Sequence, residues 1–232
     1  MESADIEPIC NHLDSILKRT AACQIDDDAD GEVVASGDQS EYDAALISSA
    51  CDLVGTLASV LGADFAQLFP TFLPSMAQYY VRLLSGSSFS CRTDVSTQWQ
   101  DLERSTGDRS TAIGSLAEIV NGMESGVTPF TDSLFPLFLR SLGDPEAEVQ
   151  SNGAFAMGSL ILHSQSDLSS QYLTVLGALH PLFEANTPNG PARRDNARDN
   201  ACGAVARMIL KNVEAVPLEQ VRCFALLCLD SC

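Results

Sequence analysis

The stretch Leu134-Phe135-Pro136-Leu137-Phe138-Leu139, continued by Asp144-Pro145, Val149, Ala154 and Gly158-Ser159-Leu160, reads as one complete helical hairpin. Its apolar residues fall at helical spacing. Gly143 stops the first helix, and Asp144-Pro145 restarts the chain into the second. Small residues on the second helix permit a close neighbour. The same two-part unit recurs on either side. First-helix fragments are Leu68-Phe69-Pro70-Thr71-Phe72, Leu134 to Phe138 and Leu179-His180-Pro181-Leu182-Phe183. Second-helix fragments are Ser110-Thr111-Ala112-Ile113-Gly114, Ser151-Asn152-Gly153-Ala154-Phe155 and Asp199-Asn200-Ala201-Cys202-Gly203. A two-part unit recurring at roughly 40 to 50 residues marks a helical solenoid. Solenoids present extended surfaces rather than catalytic pockets, so the function to look for is binding.

Outward from that unit, residues 5–20 predict a helix and residues 43–61 a longer one. In the longer helix Leu46, Ala50, Leu53, Leu57 and Val60 form the inward stripe, and Gly62 ends it. Residues 64–82 predict a helix capped by Asp64 and bent by Pro70. Further helices are expected over 108–122, 129–142, 146–163, 167–184 and 192–212, and a last apolar one from Pro217 to Cys232. The distance from Pro70 to Thr111 is more than twice that from Pro136 to Asn152 or from Pro181 to Asn200. A Ser/Thr-rich loop over 85–107 accounts for the excess, since added loop length costs little entropy. Trp99 lies in this loop and is expected to fold back onto the array. The whole chain, 1–232, is thus expected to be a single all-α array of about four and a half antiparallel hairpins.

Charge is distributed unevenly. The chain has a formal net charge of −18, yet residues 20–81 hold ten acids and no Lys or Arg. Such a balance disfavours nucleic acid or an anionic membrane as the main partner and favours a basic protein. The acids concentrate in a loop over 24–42, where Asp26, Asp27, Asp28, Asp30 and Glu32 are the candidate partner-binding residues. The longest wholly apolar run, Phe224 to Leu229, is too short to span a bilayer. The eight cysteines show no disulfide framework. Cys51 and Cys202 lie in apolar helical patterns, as small hydrophobes. A reducing compartment is inferred.

Three segments carry a narrower likeness. They are Asp108 to Ile119, Glu148 to Gly158 and Asn196 to Ile209. With the Leu-x-Pro-x-x-Leu first helix and the Asp-Pro turn, the array resembles HEAT repeats. The ordered set of three resembles the C-terminal half of importin-β (karyopherin-β) receptors of the importin-four type, over roughly residues 5–222. That family carries many more repeats, so the chain is expected to be a fragment. The resemblance implies a non-enzymatic receptor that carries basic cargo, such as ribosomal proteins or histones. It also implies Ran-GTP and Phe-Gly nucleoporins as partners, and shuttling between cytoplasm and nucleus. The alternative is a HEAT-repeat scaffold subunit of another assembly.

Chemistry finds no foothold in the pattern. His12, His163 and His180 are scattered, and His180 takes the place of Phe69 and Phe135 in the other units. Neither a nucleophile elbow, a zinc-protease motif nor a phosphate-binding glycine loop occurs. Cys223, Cys228 and Cys232 have the wrong spacing for a metal knuckle. No catalytic, cofactor-binding or metal residue is expected. Asn152, Asp199 and Asn200 are read as capping or inter-repeat hydrogen-bonding residues. Arg193, Arg194, Arg198 and Arg207 are read as a hydrogen-bonding ladder between repeats.

Overall fold

The computed structural model describes residues 3–24, 36–80, 105–183 and 191–217, with side chains over 6–24, 41–80, 105–183 and 196–217. Eight α-helices lie in these residues: α1 Ser3–Leu17, α2 Ser36–Leu61, α3 Phe69–Ala77, α4 Thr106–Met123, α5 Thr131–Ser141, α6 Ala147–His163, α7 Tyr172–Phe183 and α8 Pro191–Asn212. Short 3-10 turns follow α1, α2, α4, α6 and α8, and the described residues contain no strand. The helices pair in chain order into four hairpins. The acids at 26–32, Trp99 and the expected last helix lie outside the described residues, as do Cys223, Cys228 and Cys232.

Two layers result. The second helices α2, α4, α6 and α8 pack on one another in sequence order and form a continuous inner layer. The first helices α1, α3, α5 and α7 lie outside, each against its own partner. Small residues set the inner spacing. A Cβ added at Gly122 would lie 2.8 Å from the Ser59 nitrogen, and one at Gly158 would lie 2.8 Å from Ala204 Cα. Backbone therefore meets backbone at both joints, as stacked repeats require. The recurring aromatic is buried in three of the outer helices, as Phe72 of α3, Phe138 of α5 and Phe183 of α7.

Several expectations are corrected. Of the helix expected over 64–82, the described residues 64–80 do not form one bent helix capped by Asp64. Gly62 turns the chain left-handed (φ +57°), a 3-10 segment covers Gly62–Gln67, and α3 starts at Phe69 without a side-chain cap. Pro70 lies in the first turn of α3, where its missing N–H costs nothing. The proline also sits at different heights in the outer helices, inside α5 at Pro136 and near the end of α7 at Pro181. Pro145 precedes α6, which starts at Ala147. The Asp144 carboxylate accepts the Glu146 N–H at 3.0 Å and holds that turn.

Helix α2 is longer than expected and begins at Ser36, so Asp38 and Glu41 are helical rather than part of a loop. Its inward face is Ile47, Ala50, Cys51, Val54 and Ala58. Leu53 and Val60, expected inside, are 54% and 72% exposed. A helix with two apolar faces offers two stripes, and periodicity alone does not choose between them. The same richness makes Glu41–Gln67 long and apolar enough to cross a bilayer by composition, a property hidden by its interspersed Ser, Thr and Asp.

Candidate interaction surface

A groove with a volume near 620 Å³ opens along the inner layer between α2 and α4. Asp52, Thr56, Ser59 and Val60 line one wall, and Thr111, Ser115 and Glu118 the other. Asn152 of α6 closes one end. Gly55 forms the floor, and a Cβ there would stand 3.8 Å from Glu118 Cβ. Asp52 and Glu118 are exposed and lie on opposite walls. The Thr56 hydroxyl donates back to the Asp52 backbone carbonyl at 2.9 Å. Since residues 20–81 contain no Lys or Arg, this wall has no cation of its own. An open trough with carboxylates on both sides and an apolar rim at Val60 suits an extended chain bearing cationic side chains.

Beneath the groove Cys51 is buried, and that burial pushes its thiol up to about 11, opposed by a hydrogen bond from Ser115. A smaller apolar cavity near 130 Å³ lies on the other side of Cys51, between Met76, Tyr79, Ala44 and the start of α4. Neither cavity is lined by a histidine. His180 is half-buried on α7. Cys202, expected in an apolar setting, is exposed on α8, because its helix position points away from α6.

Hydrogen bonds between repeats link α4 to α6 and α6 to α8. Asn152 Nδ2 donates to the Ser110 carbonyl at 3.0 Å and to its hydroxyl at 3.1 Å. Asn200 Nδ2 repeats the contact on Ser151, at 3.1 and 3.0 Å. Both asparagines thus bond between repeats, as expected, and each satisfies a buried backbone carbonyl near the start of the preceding second helix. Asp199 is exposed. Arg207 stacks over the Phe155 ring at 4.9 Å instead of joining a polar ladder. Arg198 keeps a buried Nε with no hydrogen-bond partner among the described residues.

An ion pair that the sequence reading missed links the second and third hairpins. Arg109 at the start of α4 donates through Nε and Nη2 to the two Asp144 carboxylate oxygens, each at 3.0 Å. Both residues are buried. Tyr80 lies against the same carboxylate, and burial first, then that charge, pushes its phenol above the ordinary range. The Arg140 guanidinium covers the Tyr80 ring at 5.9 Å. The available signal was the placement of Arg109 one residue before the second-helix signature, a place that Arg198 holds in its own unit.

No family model matches the chain. Three curated proteins do match it. It is 36% identical over 220 residues to the probable importin subunit beta-4 of Schizosaccharomyces pombe, covering 92% of this chain and 18% of that protein. It is 32% identical over 206 residues to mouse (Mus musculus) importin-4, covering 88% and 16%. It is 31% identical over 214 residues to human (Homo sapiens) importin-4, covering 92% and 17%. The chain therefore spans about a sixth of the length of these relatives. Identity at this level along nearly the whole chain coincides with a stack of HEAT-type hairpins, and the chain belongs to the importin-β family, on its importin-4-like side.

Proposed function

We propose that this chain is a cargo-binding segment of a nuclear import receptor. Basic proteins, ribosomal proteins or histones among them, are held on its acidic inner face and carried from cytoplasm to nucleus. Phe-Gly nucleoporins give passage through the pore. Ran-GTP releases the cargo by binding a receptor state with lower cargo affinity. The role is non-enzymatic.

The observation that carries the reading is the groove between α2 and α4, with Asp52 and Glu118 on opposite walls and no cation on the α2 side. Asp26, Asp27, Asp28, Asp30 and Glu32 add sequence-level acidity to the connection that leads into α2, and are proposed to share the cargo. The importin names of the relatives support the same reading.

The test is the affinity for a Lys/Arg-rich peptide, measured by fluorescence anisotropy at low and physiological salt. Asp52→Lys with Glu118→Lys is expected to weaken binding by about tenfold or more, and deletion of residues 26–35 to flatten the salt dependence. Affinity unchanged by both changes would remove the acidic face from the mechanism.

A further inference from the structure

Asn152 closes one end of the acidic groove, and the inner layer continues past it onto α6. Phe155 lies three residues after Asn152, so the two side chains share one face of that helix. Both are half-buried. The guanidinium of Arg207, from α8, lies over the Phe155 ring at 4.9 Å from its centroid. Two glycines give it room. A Cβ at Gly158 would stand 3.2 Å from Arg207 Cδ, and one at Gly203 would stand 3.2 Å from its Nη1. The ring and the two glycines hold this side chain in place ahead of any partner. The site lies in the joint between α6 and α8, inside the stack.

The charge on the inner layer therefore changes sign along the array. Asp52 and Glu118 stand on the walls of the groove between α2 and α4, and Arg207 stands in the joint between α6 and α8. Arg207 forms no ion pair among the described residues. Lys211, one turn further along α8, is committed to the Leu162 and Ser164 carbonyls, at 3.2 and 2.6 Å. The acids of α6 and α8 lie nearer the helix starts. Glu148 accepts from the Ser110 hydroxyl at 2.8 Å, and Asp199 precedes Arg207 by two turns, about 12 Å along the axis. Packed helices stand about 8–10 Å apart, so two helix spacings place Arg207 about 20 Å from the groove. An extended chain crosses that distance in about six residues.

We propose that the inner layer takes one extended segment of a partner protein whose charges are separated. Lysine or arginine lies in the groove between Asp52 and Glu118, and an aspartate or glutamate about six residues away pairs with Arg207. The segment leaves the groove at Asn152 and passes over the Phe155 edge. This inference rests on the acidic groove as a site for a basic chain, and it adds an acidic residue at a set distance as the feature that selects among basic partners.

The experiment is fluorescence anisotropy on the full chain with two labelled peptides of equal length, with circular dichroism to confirm that each variant is folded. Both peptides carry lysines at one end; about six residues on, one carries glutamates and the other glutamines. The wild-type chain is expected to bind the glutamate peptide about threefold more tightly, the scale of a partly exposed ion pair. Arg207→Gln is expected to remove that preference, Arg207→Glu to reverse it in favour of the glutamine peptide, and Arg207→Lys to retain it. Moving the glutamates next to the lysines is expected to abolish the preference, because the spacing then no longer fits. Equal binding of the two peptides, or a preference that survives Arg207→Glu, would overturn this proposal and leave the groove reading intact. Failure of both peptides to bind would remove the groove reading and this proposal with it.

Discussion

Replacing Asp144 with alanine is the sharpest probe of what holds neighbouring hairpins together. The carboxylate accepts two hydrogen bonds from Arg109 and one from the Glu146 N–H, all at 3.0 Å. Removing it leaves a guanidinium side chain only 10% exposed without its counter-ion. Breaking one side of a buried pair costs about 3–5 kcal/mol, and the residual exposure of Arg109 places this case near the lower end, about 3 kcal/mol. For a chain of this size that corresponds to a melting temperature lower by about 6–12 °C. Urea unfolding followed by circular dichroism would measure it. Arg109→Met combined with Asp144→Leu should cost clearly less than the two single changes together, since neither charge is then stranded. The Tyr80 phenol gives a local readout, because loss of the Asp144 charge should move its titration down toward the ordinary range. A cost below about 1 kcal/mol, or single costs that simply add, would refute the view that this pair locks the second hairpin to the third.

Two further outcomes follow from the packing. Gly158→Val puts a branched side chain where Ala204 Cα lies 2.8 Å from the first added carbon, and should cost about 1–3 kcal/mol or more in thermal melts, whereas Gly177→Ala, with nothing within 4 Å, should cost little. Cys51, with its thiol pushed up to about 11 from 9.0, should present about a hundredfold less thiolate than an unperturbed thiol near pH 8. Peptide mapping after brief alkylation should find exposed Cys23 and Cys202 modified well before Cys51.

The legible parts of this fold are those where one residue type leaves one choice. The Leu-x-Pro fragments mark the outer helices, because Phe72, Phe138 and Phe183 each bury at the same joint. Ile113, Leu116 and Val120 lie fully inside α4, as their spacing requires. Asn152 and Asn200 act between repeats because a short amide side chain near a helix start reaches a neighbouring carbonyl. The reading of α2 failed where the chain offers apolar residues on both sides. Its acidic groove was also missed, because Asp52 and Glu118 come from separate helices with the Ser-rich insertion between them.

The sequence by itself determined that the chain is a series of helical hairpins, which fragments mark their outer and inner helices, and that its negative charge gathers in the first third. Those properties are local, set by helical periodicity, by proline and glycine, and by composition. Tertiary structure decided which stripe of α2 turns inward, that Arg109 finds Asp144, and that a trough opens between α2 and α4. Each of these depends on how closely one helix backbone can approach the next, and that distance is set by the glycines and alanines of two repeats acting together.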